Sequence, residues 1–481
     1  MKHKLKELFL RYGIKHISLN SKDIGKNSAF FAVTGRNFNG NDFIEEAFGK
    51  GALIVFTDNK SKAKDGVIFY LENIRLAIAH GAEILYPKMP KNLVGVTGTN
   101  GKSSVVSYVH QILSMLGKNS ACIGTLGVEC NAKNFDPESF CYTGLTTGDP
   151  VNFRKYLDRL YKLGVSYLAF EASSHGLDQQ RLGDIKVNSA AFTSFSQDHL
   201  DYHETIENYL QAKLKLFSNN LIEGGLAVIN SETQYFDYIK QFLGQKKISY
   251  NTVGREGDLK IIEIMCDIEC QNITFGFEGR IYRFQTNIIG SFQATNILIA
   301  AKLVHNLNID FADIVPTLTR LKAIRGRLQR ITEYNDPLHV FVDYAHTPDA
   351  LEKSLTELKK LKKTEGKLYV IFGCGGDRDR TKRPLMGKIA AKIADKIIIT
   401  DDNPRSENPA QIRNEILAGA KNADIIGDRK EAIVNIINIL NNDDILLIAG
   451  KGHEDYQIIG NEVKKFSDIE IAKNALNKKI K

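Results

Sequence analysis

The stretch VGVTGTNGKSSV, Val94 to Val105, joins an apolar run to a single lysine through small and flexible residues. A backbone that includes Gly98, Asn100 and Gly101 can turn its N–H groups around an anion, and Lys102 and Ser103 then fall where a β/γ-phosphate and its Mg²⁺ would lie. Glycine-rich turns also join strand to helix in folds that bind nothing there. The spacing departs from G-x-x-x-x-G-K-[ST] as well, because five residues separate Gly95 from Gly101. Context decides. Leu93 to Val96 reads as a short buried strand, and Val105, Val106, Val109, Ile112, Leu113 and Leu116 recur at helical spacing over 103–116. Strand, tight loop and helix N-terminus are what phosphate binding needs, so the stretch is expected to hold a nucleotide.

A loop that ends in a serine for Mg²⁺ needs carboxylate and imidazole partners to complete the metal shell and spread charge from a transferring phosphoryl group. Glu171 follows YLAF, and His199, beside Asp198, follows AAFTSF. Either could be an ordinary cap or surface residue; sharing a segment with the phosphate loop is what singles them out. In DHLDYHETIENYLQAKLKLF a loop enters an amphipathic helix, on which Lys213 reads as a solvated lysine. Toward the C-terminus, DDNPRSENP offers different chemistry. Pro404 stiffens the turn, Asp402 can take an ammonium, and Arg405 can fork onto a carboxylate. DNP turns also serve as plain loop punctuation. Joined to Arg378 in GGDRD and Glu454 in GKGHED, this one suggests a pocket for an amino acid charged at both ends.

The elements that must position these groups alternate between strand and helix. Residues 1–91 hold AFFAVTG, ALIVFTD and GVIFYL and end at YPKMPKN, where two prolines precede the phosphate-loop strand. Residues 92–324 hold LVGVTG, SYLAFEAS, SAAFTSF and GGLAVIN, plus an alternating region, 260–289, expected to add antiparallel strands. Residues 325–481 repeat the alternation with LHVFVDYAH, KLYVIFGCGG, DKIIITDDNP and DILLIAGKG. The pattern predicts an α/β fold of three domains with mostly parallel sheets, in which ligands bind beyond the carboxyl ends of the strands. The polar groups fall there repeatedly: Glu171 and Ser173, Asp198 and His199, Asp343 and His346, Asp377 and Arg378, Asp402 and Arg405, Lys451, His453 and Glu454.

Composition excludes several classes. The chain has no run of 18 apolar residues, and its start, MKHKLKELFLRYGIKHISL, reads as an amphipathic helix without a signal-peptide core; a cytoplasmic protein with no membrane insertion is expected. Six scattered cysteines form no C-x-x-C pair and are expected to be reduced thiols. The net charge of +8 comes largely from lysines on helix faces such as LTELKKLKKTEGK, where Leu358 and Leu361 face in. There is no basic stripe with interleaved aromatics, so no nucleic-acid partner is expected, and the excess suits polyanionic ligands.

GVTGTNGKSS, LTTGDP, EASSHGLDQQR, DHLDYH, GSFQATN, VDYAHTPDAL, GCGGDRD and TDDNPR followed by AGKGHEDYQ together resemble the Mur ligase family across all three segments. The resemblance implies a uridine-nucleotide-binding N-terminal domain, a central P-loop ATPase-like domain and a Rossmann-like C-terminal domain. It implies ATP on Gly98, Thr99, Asn100, Gly101, Lys102, Ser103 and Ser104, with Asn296, Arg327 and Asp343 at the domain junction. Mg²⁺ would be held by Ser103, Glu171, His199 and a carbamylated Lys213, and Lys102, Glu171, His199 and Lys213 would form the catalytic set. Ser21, Thr146, Thr147, Ser173, Gln179 and Arg181 match positions that bind UDP-MurNAc-dipeptide. Asp402, Asn403, Pro404 and Arg405, supported by Arg378, Gly450 and Glu454, match the motif for meso-diaminopimelate addition. The implied reaction is amide ligation through an acyl phosphate, by a monomer whose third domain closes after ATP binds. The alternatives are the branch that adds L-lysine, which would carry another motif at 402–405, and the folylpolyglutamate synthetases, which would lack the N-terminal segment. Two departures stand out: Asn20-Ser21-Lys22 where the family shows D-S-R, and GRLQ, Gly326 to Gln329, where it shows G-R-M-E.

Overall fold

Three main sheets, each with its own helices, and a small hairpin sheet, Tyr456–Ile459 with Glu462–Lys465, follow one another along the chain in a computed structural model that describes residues 1–35, 38–140, 144–332 and 338–479. The first is wholly parallel: His16–Ser18, Ser28–Ala32, Ala52–Thr57 and Ile68–Tyr70. Helices Lys2–Tyr12 and Ile74–Leu85 cover one face through Leu5, Phe9, Ile74 and Ile78. The N-terminal helix is shorter than its amphipathic pattern suggests. Gly13 turns left-handed (φ 63°) and caps it through N–H bonds to Leu10 O and Phe9 O, and His16–Ser18 is a strand. Glycine accepts that conformation without a Cβ clash, so the helix stops there.

The second sheet has ten strands. At its centre, Asn92–Thr97 lies between Tyr167–Glu171 and Val187–Phe192, parallel to both. These strands are nearly all buried because helices cover both faces. Lys102–Met115 and Ser291–His305 pack on one side, Pro150–Lys162 and Ile206–Lys215 on the other. The alternating region forms the expected antiparallel edge, Leu259–Cys266, Gln271–Phe277 and Arg280–Thr286. In the middle one of these, inward and outward residues alternate along the strand, because one face packs on helices and the other meets water.

In the third sheet the order is Gln329–Arg330, His339–Asp343, Ile445–Ala449, Leu368–Phe372, Lys396–Ile399, Asp424–Ile425, parallel except for the first pair. His339–Asp343, Ile445–Ala449 and Leu368–Phe372 are buried throughout. Helix Pro348–Leu361 turns Leu358 inward and Lys359 and Lys360 to water, with Leu361 half-buried. Five cysteines are free, and Cys141 lies outside the described residues. Among the described residues no helix is long and apolar enough to cross a membrane.

Candidate active site

The loop after Asn92–Thr97 is built on glycines that nothing larger could replace. Gly98 (φ 143°) and Gly101 (φ 87°) are left-handed, and a Cβ would meet Thr193 Oγ1 at 2.1 Å in the first and Asn296 Oδ1 at 2.6 Å in the second. Gly95 is not part of the loop; it sits within the strand under Leu216, so the departure from the G-x-x-x-x-G-K-[ST] spacing stands, with Val96 where the first glycine would be. The N–H groups do not all turn inward as the glycine pattern suggests. Thr99 N–H donates to Ser194 O (2.7 Å) and Asn100 N–H to Ser194 Oγ (2.9 Å), so the neighbouring strand's exit holds the loop in shape. The donors left for an anion are those of the first turn of Lys102–Met115, which a helix leaves without intrahelical partners.

Lys102 folds back over this turn, its Nζ donating to Gly98 O (3.0 Å) and Thr99 O (2.9 Å). Lys213 comes from the opposite side. The amphipathic pattern reads it as solvated, yet it is 1% exposed, because the helix Ile206–Lys215 turns this residue toward the loop rather than to water. Its Nζ donates to Gly98 O at 2.8 Å and lies 4.3 Å from the centre of the Tyr209 ring. Burial, reinforced by the charge of Lys102, pushes its amine well below the usual lysine range. Burial lowers Lys102 too.

Glu171 ends its strand in register with Val96, which places the carboxylate beside the phosphate loop. It accepts Thr125 N–H at 2.8 Å and Thr125 Oγ1 at 3.2 Å. His199 begins the short helix Leu200–His203, itself left-handed (φ 53°). Burial pushes its imidazole down, so the ring is neutral, while Asp198 is held low by His199, His346 and Lys382 despite its own burial. The third domain reaches in from the other side. Arg327 Nη2 donates to Ser103 Oγ (3.0 Å), its guanidinium stacks 4.3 Å from the centre of the Tyr344 ring, and Asn100 Nδ2 donates to Asp349 Oδ2 (3.0 Å). Asp343 accepts Ser354 Oγ at 2.5 Å, and burial raises its carboxyl.

A cavity of about 580 Å³ collects these groups: Thr99 to Ser104, Glu171, His199, Asn296, Arg327 and Asp343 all line it. Gly98 and Lys213 lie behind its wall, contributing a carbonyl and the amine that bonds it. Asp198, which ends its strand beside His199 as expected, also faces the cavity, while sequence reasoning missed Thr125, Ser194, Arg255, Phe292 and Asp349 there. Asp349 stands in the first turn of helix Pro348–Leu361, soon after the strand His339–Asp343, a signal that could have found it. Arg255 and Phe292 are brought there by folding alone. Among the described residues no three His, Cys, Asp or Glu side chains cluster as a metal cage.

Beyond Glu171 lies a second group. Thr147 Oγ1 donates to Glu171 O (2.8 Å) and accepts Ser173 N–H (2.8 Å), and Thr146 Oγ1 accepts Thr125 Oγ1 (3.1 Å). Arg181 donates to Thr147 O (2.7 Å) and Gln179 Oε1 (2.9 Å). Ser21 is not brought to them; it is buried in the first domain, and Asn20 caps its turn. A third group gathers at the carboxyl end of the last sheet. Asn403 Nδ2 donates to Glu454 Oε2 (2.9 Å), and Lys451 Nζ bridges Asn403 Oδ1 (3.0 Å) and Glu454 Oε2 (2.8 Å). Arg405 Nη1 donates to Gly376 O at 2.8 Å, and a Cβ on Gly450 would lie 2.7 Å from Asp402 Oδ2. Arg378 is exposed on the facing loop.

Three family profiles match in succession: "Mur ligase family, catalytic domain" over 13–86, "Mur ligase middle domain" over 96–304, and "Mur ligase, glutamate ligase domain" over 326–452. The chain is 52% identical over 482 residues to the UDP-N-acetylmuramoyl-L-alanyl-D-glutamate--2,6-diaminopimelate ligase of Rickettsia rickettsii, covering 99% of this chain and 98% of that protein. The chain belongs to the Mur ligase family. This Mur ligase is also 55% identical to the same-named enzyme of Rickettsia bellii (strain RML369-C), covering 97% of each. A solved structure of a UDP-N-acetylmuramoyl-L-alanyl-D-glutamate--2,6-diaminopimelate ligase superposes with a TM-score of 0.68 at 29% identity, over 97% of this chain and 96% of that one. The three-domain α/β fold and the ligase class follow.

Proposed function

We propose that this Mur ligase joins meso-diaminopimelate to the D-glutamyl γ-carboxylate of UDP-MurNAc-L-Ala-D-Glu at the expense of ATP, in cytoplasmic precursor synthesis. The relatives that share over half of its residues along the whole chain are named as ligases of UDP-N-acetylmuramoyl-L-alanyl-D-glutamate and 2,6-diaminopimelate. The observation that carries the reading is the join between the Asp402–Arg405 turn and the Lys451–Glu454 loop through Asn403 and Glu454. It joins the two loops that carry Asp402, Arg405 and Glu454 at one sheet end, and acids and an arginine there would suit an amino-carboxylate that a lysine side chain lacks.

The γ-carboxylate is a poor electrophile, so ATP phosphorylates it to an acyl phosphate. The amine then attacks the carbonyl, and phosphate leaves through a tetrahedral intermediate. Lys102 and the first-turn N–H groups would hold the transferring phosphates, with Arg327, Asn296 and Asp343 framing the nucleotide. Thr146, Thr147, Ser173, Gln179 and Arg181 would orient the acceptor, with Ser21 reaching its uridine end. Asp402, Asn403, Pro404, Arg405, Arg378, Gly450 and Glu454 would hold the amine.

The donor set suits Mg²⁺, which takes oxygen ligands and keeps several waters. Ser103, Glu171 and the neutral His199 share the cavity wall, and Lys213 would join them as a carbamate; burial pushes its amine well below the usual lysine range, which favours attack on CO₂ with loss of a proton. Bound there, the ion would neutralise charge on the phosphoryl group.

We assign the domains to 1–91, 92–324 and 325–481; each of the three main sheets falls within one range. A monomer whose third domain closes on the second is the simplest working form, since the described cavity is completed within one chain. The deciding assay is phosphate release from ATP and Mg²⁺ with UDP-MurNAc-L-Ala-D-Glu, comparing meso-diaminopimelate with L-lysine. Release with the first alone is expected. Release with lysine alone would keep the ligase and overturn the reading of Arg405.

A further inference from the structure

Behind the two loops assigned to the amino acid lies a group that the reaction itself does not call for. Arg383, in helix Lys382–Ile393, is fully buried. Its Nη1 donates to Glu407 Oε2 (3.0 Å) and Glu415 Oε2 (2.7 Å), and its Nη2 to Glu407 Oε1 (2.9 Å) and Gly375 O (3.2 Å). Glu407 follows the Asp402–Arg405 turn by two residues, and Gly375 belongs to the loop that carries Arg378. One guanidinium therefore ties both loops to a helix.

Further contacts bind the loops directly. Glu407 Oε1 accepts Asp377 N–H at 2.6 Å. Asp377 in turn accepts Ser406 Oγ at 2.6 Å and Ser406 N–H at 3.2 Å. The backbones touch so closely that a Cβ on Gly376 would lie 1.9 Å from Pro404 O. Asp377 (φ 55°) and Arg405 (φ 51°) both stand in the left-handed region, which side-chain-bearing residues adopt only when their surroundings hold them there. The hydrogen bond from Arg383 holds the Glu407 carboxyl down at about 2, so the pair stays charged wherever the enzyme works.

We infer that Arg383 and Glu407 are positioning residues of the amino-acid site: their two-pronged pair, with the Asp377–Ser406 clasp, holds the Arg378 and Arg405 loops in their strained conformations before the amino acid arrives. The inference rests on the reading of those two arginines as amino-acid binders. Glu415 contacts Arg383 from helix Pro409–Leu417 and touches neither loop, so it separates the two halves of the network.

The experiment varies each of the three substrates in turn for the full-length parent, Glu407→Gln, Ser406→Ala and Glu415→Gln. Loss of one charge-assisted bond should raise KM for meso-diaminopimelate about tenfold or more in Glu407→Gln, with both other KM values within about twofold and kcat within about threefold. Ser406→Ala, an exposed change that leaves the buried pair intact, should move the same KM about threefold. Glu415→Gln should leave it unchanged. Folded variants whose KM for the amino acid does not move, or whose three KM values rise together, would overturn the strut. Should Glu407→Gln fail to fold, Ser406→Ala decides alone. A parent enzyme inert with meso-diaminopimelate would instead overturn the reading of the site, leaving the two failures distinct.

Discussion

Replacing Lys213 with methionine separates structural from chemical roles, because the structure predicts opposite sizes for the two effects. The Lys213 amine makes one hydrogen bond, to Gly98 O, and that oxygen also accepts Lys102 Nζ at 3.0 Å. Removing the amine leaves no orphaned acceptor, so the cost is that of a single bond, about 1 kcal/mol. Methionine fills the same apolar channel beside Tyr209, and losing the repulsion with Lys102 offsets part of that cost. For a domain of this size the melting temperature should fall by no more than about 4 °C. Activity should behave otherwise if Lys213 carries a metal-binding carbamate. A loss of about a hundredfold or more in kcat, at least ~2.7 kcal/mol of transition-state stabilisation, is expected from phosphate-release kinetics at saturating substrates. Parent activity should also fall when dissolved CO₂ is stripped, and the variant's should not. A stable variant retaining parent activity within about threefold would refute the reasoning and return Lys213 to a purely structural role.

Gly101→Ala at φ 87° drives a Cβ to 2.6 Å from Asn296 Oδ1, so KM for ATP should rise about tenfold or more and strain of about 1–3 kcal/mol should lower the melting temperature by several degrees; an unchanged KM would show that the loop tolerates a side chain. Asp468→Asn breaks a bidentate pair with Arg429 in which both side chains are wholly buried, and urea denaturation should show the C-terminal domain losing about 3–5 kcal/mol. His110 is held by burial at about 4, against 6.5 for the free residue. The unfolded chain therefore binds one more proton than the folded one between those values, and stability is full above pH 6.5 and is lost as the pH falls toward 4. His110→Gln should flatten that slope by up to about 1.4 kcal/mol per pH unit, and an unaltered slope would place the titration in other residues.

Much of the site could be read from local pattern. The strand Asn92–Thr97, its loop and the helix that follows were legible because apolar periodicity switches from strand to helix across two glycines and a lysine. Glu171, Asp198, His199 and Asp343 were legible as strand-end residues of parallel sheets. Lys213 was not, since an amphipathic helix reports only which faces are apolar, and this lysine reaches through an apolar face to a carbonyl on another element. The N-terminal helix was drawn too long because Gly13 acts through its φ rather than through hydrophobicity. The inward turning of every loop N–H failed for a tertiary reason, the hydroxyl and carbonyl of Ser194 arriving from a neighbouring strand.

By itself the sequence determined the α/β class, the phosphate loop and the family, because these rest on residue types at short separations, where backbone geometry follows from local sterics and periodicity. Only the tertiary structure decided that Arg327 crosses to Ser103 from a different domain, 224 residues away, and that Lys213 is buried with its amine pushed well below the usual lysine range. It alone decided that Arg383 reaches both Gly375 O and Glu407, on two loops about thirty residues apart in the chain. Burial and long-range hydrogen bonding are properties of the packed chain, and they set both the charge of a lysine and the aim of an arginine.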